Sequence, residues 1–205
     1  MATRGRPKSD QKKQQILDAA ADLFTTQGYA NTSLEQVAES ANVSKQTIYS
    51  HFKGKADLLQ EGVKRRCMEG QLTAEQLDLS PPPGEFLPLF AERFIGILQD
   101  DSSLRMYRLC LSEGERHSEL GASFFESGPK LVIEALALYL TQAHDKQQLR
   151  VDHPQLAAAQ FLFMVRGFPI ETALLNLPEP PFQISNQEYI KQCCAMFLRA
   201  YASNN

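Results

Sequence analysis

The sequence predicts an all-α fold, a compact helix-turn-helix head followed by a helical body, with about nine helices in total. Three observations carry this. Apolar residues recur three and four positions apart through almost the whole chain, the spacing of one buried helical face. No segment alternates apolar and polar residues as a half-buried strand would. Helix start and stop signals recur at the right intervals: Ser33, Ser44, Gly128-Pro129, His153-Pro154 and Ser185 as starts, Gly28 as a stop.

The chain opens with a basic arm, residues 1–8, continuous with the cationic run Thr3–Lys13. Gly5 and Pro7 keep it extended. It is either a solubilising tail or an arm whose Arg4 and Arg6 enter a narrow, electronegative minor groove, and the two are compatible because such an arm orders only on DNA. A first helix spans about Ser9 to Gln27, with Ile16, Ala19, Ala20, Leu23 and Phe24 inward and Gly28 supplying the left-handed stop.

Leu34, Val37, Ala38 and Ala41 then mark a second helix, opened by a capping-box pair, Ser33 and Gln36. Asn42 suits the turn that ends it, and Ser44 caps a third helix, Lys45 to Phe52. Ile48 and Phe52 face inward there, whereas Lys45, Gln46, Thr47, Tyr49, Ser50 and His51 face outward. A short exposed helix bearing those groups suits a DNA major groove, because they bond both phosphates and base edges. An ordinary helical hairpin with a polar face is the bland alternative.

Charge favours the first reading. The net charge is −3, but residues 1–66 carry 11 Lys/Arg against 7 Asp/Glu, and residues 67–205 carry 10 against 17. A basic head on an acidic body confines attraction for nucleic acid to the head.

The N-terminal block resembles the TetR family of bacterial transcriptional regulators, in ILDAAADLFTTQGYANTSLEQVAESANVS followed by KQTIYSHFKGKADLL. The resemblance covers the first third of the chain and implies a three-helix DNA-binding domain, residues 9–69, before a ligand-binding and dimerising domain, residues 70–205. It implies that Lys45, Gln46 and Thr47 approach the major-groove floor and that Tyr49 and His51 meet phosphates or sugars. By the same resemblance Lys55, Thr32 and Ser33 meet phosphates at helix starts, where free N–H groups and the dipole favour anions. The expected DNA-facing set is completed by Ser44 and Ser50.

A fourth helix is expected from Lys55 to Leu77, ended by Ser80–Gly84 (SPPPG), which is either a stiff hinge or a simple spacer. Beyond it, Phe86, Phe90, Phe94 and Leu98 give one stripe, and Leu104, Tyr107, Arg108 and Leu111 the next. A short element lies around Ser118 to Phe125. Pro129 opens a helix carrying Leu131, Ala135, Leu138 and Tyr139. Pro154 opens another with Ala158, Phe161, Leu162, Val165 and Ile170. Ser185 and Glu188 cap the last, with Ile190, Cys194, Phe197, Leu198 and Tyr201 inside.

The last two of these helices are apolar around most of their circumference, and a second apolar stripe needs a second partner. A homodimer is expected through Phe163, Leu174, Cys193, Met196 and Phe197; the alternative is a helix central to one subunit. An apolar pocket is expected from Phe90, Phe94, Tyr107, Phe125, Tyr139, Phe161, Met164 and Phe168, joined by Phe124, with Arg108, Cys110, Glu113, Gln160 and Arg166 as polar anchors. Each aromatic is also a candidate for plain core. The ligand would be a small apolar or amphipathic inducer, and the DNA partner a palindromic double-stranded operator.

Other classes fit less well. The four histidines are scattered, with no catalytic triad or phosphate loop, so no enzyme is expected. Glu113, Glu115, His117 and Glu119 alternate around a helix and do not suit a metal, and no cofactor is expected. Cys67, Cys110, Cys193 and Cys194 form no CxxC pair, and vicinal cysteines on a helix do not suit a redox switch. No apolar run approaches the roughly 18 residues of a membrane span, and the start lacks an apolar signal region, so a cytoplasmic chain without membrane contact is expected. Together these lead to the expectation of a homodimeric repressor that leaves its operator when a small molecule binds.

Overall fold

A computed structural model of the chain describes residues 8–177 and 184–203. They form α1 (Lys8–Gln27), α2 (Leu34–Ser40), α3 (Lys45–His51), α4 (Lys55–Glu69), α5 (Pro83–Leu98), α6 (Asp101–Glu113), α7 (Ser118–Ser127), α8 (Pro129–Asp145), α9 (Pro154–Leu174) and α10 (Asn186–Ala200), with a 3-10 turn at Ala74–Gln76. Among the described residues there is no strand, only one isolated bridge between Leu149 and Ala202. The all-helical expectation therefore holds. The short element near Ser118 is a full helix, α7, which brings the total among the described residues to ten.

The chain divides into two compact units. The first contains the described residues up to Arg65 together with Arg105–Ser127, and the second contains Arg66–Leu104 and the chain from Gly128 onward. Residues 105–127 thus pack with the head, although the sequence division at 69/70 leaves them in the C-terminal part.

In the first unit, Ile16, Leu17, Ala20 and Phe24 of α1 meet Val37, Ala38, Ile48, Phe52, Leu58 and Leu59 in one core, joined by Leu109, Cys110 and Leu120. Each fully buried large side chain contributes about 1.5–3 kcal/mol relative to exposure. Local chemistry sets the helix ends. Gly28 adopts φ +91° after α1. Ser33 and Gln36 form the reciprocal capping box of α2. Asn42 takes φ +52° in the turn, and the Ser44 hydroxyl accepts from the Thr47 N–H to start α3.

Three helix readings are corrected. α4 stops at Glu69 and does not continue to Leu77. The Leu72 N–H returns to the Cys67 carbonyl at 3.0 Å across Gln71 at φ +56°, a Schellman ending with Leu72 buried. Gly70 allows it, because a Cβ there would meet the Ile97 side chain at 1.9 Å. In α6 Leu104 is buried as expected, together with Leu109 and Cys110, whereas Leu111 is exposed. In α8 Leu138 is likewise exposed. In both cases an apolar residue at the edge of the stripe lies one position beyond the buried arc.

In the second unit α9 packs on α5, α8 and α10, and α5 also packs on α10. Phe86 stacks on Tyr139 at 3.5 Å and on Phe90 at 5.6 Å. The Tyr139 hydroxyl donates to the Pro81 carbonyl at 2.8 Å, tying the proline segment to α8. Pro82 is the N-cap of α5 and Pro83 its first residue. α9 is kinked at Gly167 (φ −14°, ψ −114°), two residues before Pro169. Proline lacks the N–H that would bond back to Val165. The Tyr189 hydroxyl of α10 donates to the Met164 carbonyl at 2.9 Å.

Candidate nucleic-acid interface

The outward face of α3 is built by its neighbours. α2 and the Asn42 turn hold α3 with Ile48 fully buried, which leaves Lys45, Gln46, Tyr49 and Ser50 exposed and Thr47 and His51 half-buried. Tyr49 is 54% exposed. The exposed Gln46 side chain makes no hydrogen bond to the protein among the described residues.

Other members of the expected set are already engaged. Lys45 pairs with Glu35 of α2 and lies 5.9 Å from the Tyr49 ring centre. Hydrogen bonding to Lys45 holds the Glu35 carboxyl below its usual range, and the same bond raises Lys45. The pair is fully exposed, so a phosphate competes with Glu35 for the ammonium at little cost. The Ser44 hydroxyl caps α3 and bonds that of Thr47 at 2.8 Å. The Ser50 hydroxyl donates to the Thr47 carbonyl at 2.7 Å. Ser33 is occupied by its capping box.

Two residues depart from expectation. The Thr32 side chain is 2% exposed, and its hydroxyl donates to the Gly28 carbonyl at 2.8 Å. It braces the turn from inside and does not present a surface hydroxyl. Lys55 turns back and donates to the carbonyls of Tyr29 (2.7 Å) and Ala30 (3.3 Å). Arg4 and Arg6 lie outside the described residues.

The expected pocket residues fall in different surroundings. Phe90, Tyr139 and Phe161 are fully buried and Phe94 nearly so, all in the second unit's core, where Phe161 packs edge-on to Phe197 at 5.0 Å. Met164 is half-buried against that core and Phe168 is exposed. Tyr107, Arg108, Cys110 and Phe125 belong to the first unit; Tyr107 tilts on Phe124 at 5.7 Å, and Phe125 is exposed. Of the expected anchors, Glu113 accepts from the Tyr29 and Ala30 N–H groups. Gln160 accepts from the Tyr201 hydroxyl, and Arg166 lies over the Phe163 ring at 5.4 Å. A shallow cleft of 390 Å³ occurs elsewhere in the second unit, lined by Arg66, Gln71, Arg93 and Asp100 among others. Residue types had no signal for it, since it depends on where α4 ends.

The expected dimer residues also divide. Cys193 and Phe197 are buried within the chain, and Leu174 is half-buried. Phe163 (64% exposed) and Met196 (53%) project outward. Leu156, Phe168 and Leu175 of the α9 segment, and Ile184 ahead of α10, are exposed too. Spacing alone had missed Leu156, Leu175 and Ile184.

A capped pair of short helices with an exposed polar second helix defines a helix-turn-helix protein. The family follows from the comparisons. Residues 16–61 match the family described as bacterial regulatory proteins, tetR family. Residues 85–203 match the AefR-like transcriptional repressor, C-terminal domain. The chain belongs to the TetR family of bacterial transcriptional regulators, and its relatives are regulators, not enzymes.

Among solved structures, it is similar to the flavonoid-responsive regulator FrrA, with 30% identity, 96% of this chain and 100% of that chain covered, and a TM-score of 0.77. A putative TetR-family regulator from Mesorhizobium loti MAFF303099 shows 25% identity, the same coverage and a TM-score of 0.72. By sequence it is 32% identical over 112 residues to the HTH-type transcriptional regulator AcrR of Shigella flexneri, across 54% of this chain and 51% of that protein. The chain spans about half the length, or less, of the curated relatives it matches. No helix among the described residues is long and apolar enough to cross a membrane.

Proposed function

We propose that this protein is a homodimeric repressor that binds a palindromic double-stranded operator in the cytoplasm and leaves it when a small apolar or amphipathic molecule binds the C-terminal region. The observation that carries the DNA-binding part is the solvent-facing side of α3. The exposure of these side chains supports a reading in which Gln46 meets base edges, Tyr49 and His51 meet phosphates or sugars, and Lys45 meets a phosphate in exchange for Glu35. The basic arm with Arg4 and Arg6 adds a minor-groove contact.

Dimerisation is supported by the exposed Phe163 and Met196 and by the further exposed apolar side chains on α9 and ahead of α10. An isolated chain pays to hydrate such a face, and a two-fold copy covers it with the same face. Two heads related by that axis read two half-sites, so the operator is a palindrome. Repression is supported by the AefR-like repressor match, and release by a small effector by the similarity to FrrA, which is named a flavonoid-responsive regulator. Differential affinity of the effector for the two conformations supplies the coupling.

The test is selection of bound duplexes from a random pool, repeated with flavonoids and other planar apolar compounds added. Enrichment of one palindrome, lost with an effective compound, is expected. Enrichment of no sequence would sink the operator; enrichment that no compound disturbs would sink the effector.

A further inference from the structure

The peptide group between Tyr29 and Ala30, in the turn from α1 to α2, is held at both ends by opposite charges. The Glu113 carboxylate accepts from the Ala30 N–H at 3.3 Å with one oxygen and from the Tyr29 N–H at 3.2 Å with the other. The Lys55 ammonium accepts nothing; it donates to the Tyr29 carbonyl at 2.7 Å and to the Ala30 carbonyl at 3.3 Å. It also lies 4.7 Å from the Tyr29 ring centre. An anion at the N–H end and a cation at the C=O end of one peptide dipole both favour the same orientation, and charge-assisted bonds are the stronger kind.

The surroundings are shaped to admit the carboxylate. Gly28 takes φ +91°, which favours glycine, and a Cβ there would lie 2.7 Å from the Glu113 Oε1 atom, so a side chain at this position would push the carboxylate aside. Immediately beyond the clamped peptide, Thr32 bonds back to Gly28 and Ser33 caps α2. The turn therefore sets where α2 begins, and α2 carries Glu35, the partner of Lys45 on α3.

We infer that Glu113 is a positioning residue for operator binding: opposite Lys55, it fixes the Tyr29–Ala30 peptide and thereby the placement of the α2 start beside α3. This rests on the operator-binding function proposed above. The clamp also accounts for Lys55 being directed at the turn. A carboxylate serving only the stability of the fold would, when removed, lower the unfolding midpoint without changing how the folded protein discriminates between DNA sequences.

The full-length chain and its Glu113→Ala and Glu113→Gln variants are compared on the selected operator and on a random duplex of equal length, with urea unfolding and amide exchange of Tyr29 and Ala30 as companion measurements. In Glu113→Ala, both amides are expected to exchange faster and operator affinity to fall about tenfold, with binding to the random duplex unchanged. Glu113→Gln keeps one acceptor and should fall between, and it carries the same comparison should Glu113→Ala not fold. Operator affinity that stays at the wild-type value while the amides loosen overturns the inference, and so does an equal loss on both duplexes. A wild-type chain that does not distinguish operator from random DNA overturns the operator function itself, and the positioning role with it.

Discussion

Gln46 and Gly28 show what single residues do in this head. Gln46 is exposed on α3 with its amide unspent, and a bidentate amide contact discriminates one base pair from another by about 1–3 kcal/mol. Gln46→Ala is expected to compress the affinity gap between operator and single-base variants by that amount, measured by fluorescence anisotropy at one salt concentration. An unaltered preference would remove Gln46 from base readout. Gly28 is different, because its φ of +91° disfavours a side chain and a Cβ there would displace the nearby Glu113 carboxylate. Gly28→Ala is expected to cost about 1 kcal/mol or more. Gly62→Ala, in α4 with nothing within 4 Å of the new Cβ, is expected to stabilise by about 0.5–1 kcal/mol. Urea midpoints that move in the same direction for both would contradict this account.

At the scale of elements, capping chemistry was legible and kinks were not. Ser33 with Gln36, Asn42, Ser44 and Ser185 each act within one turn of their own position, so residue type predicts their role. The end of α4 lies at Gln71 in the left-handed region with Leu72 turned into the core, and Ile97, distant in sequence, occupies the space a Cβ on Gly70 would need. At the kink in α9, Tyr189 of α10, distant in sequence, supplies the donor that satisfies the Met164 carbonyl. Tyr189→Phe should cost about 1 kcal/mol by leaving the Met164 carbonyl without that donor. Gly167→Ala should cost more, because its Cβ would lie 2.5 Å from the Tyr189 hydroxyl oxygen. Both are read as shifts of the chemical denaturation midpoint at constant slope, and a neutral Tyr189→Phe would show that water replaces the donor.

At the scale of the whole molecule, association and pH dependence are the measurable consequences. Phe163→Asp combined with Met196→Glu places charge on the exposed apolar face while sparing the buried Cys193 and Phe197. A monomer in sedimentation, with operator affinity reduced at least about a hundredfold because one half-site is lost, is expected; a persistent dimer would place the interface elsewhere. Burial raises the thiols of Cys67 to about 11 and of Cys110 and Cys194 to about 12, from an ordinary value of 9.0. Raised folded-state values mean that the native chain keeps protons the unfolded chain releases. Their contribution to stability is therefore complete below about pH 9 and declines as pH rises toward 12. Unfolding free energies measured between about pH 7.5 and 11 should fall with a slope that flattens when Cys110 and Cys194 are replaced by alanine.

Much of the head could be read in advance because its signals are short-range. The 3.6-residue apolar period, the caps and the left-handed stop at Gly28 act among neighbours in the chain, and so does the outward set on α3, which follows once Ile48 and Phe52 face inward. The same periodicity determined the all-helical class, and the distribution of charge determined that the front of the chain is basic. What only the tertiary structure decided was which of these groups are already engaged: Thr32 inside the turn, Lys55 and Glu113 on the Tyr29–Ala30 peptide, Cys193 and Phe197 in the core while Phe163 and Met196 face solvent. Periodicity specifies a face of a helix, but which residues at the edge of that face are covered, and which charge meets which dipole, depends on elements far away in sequence.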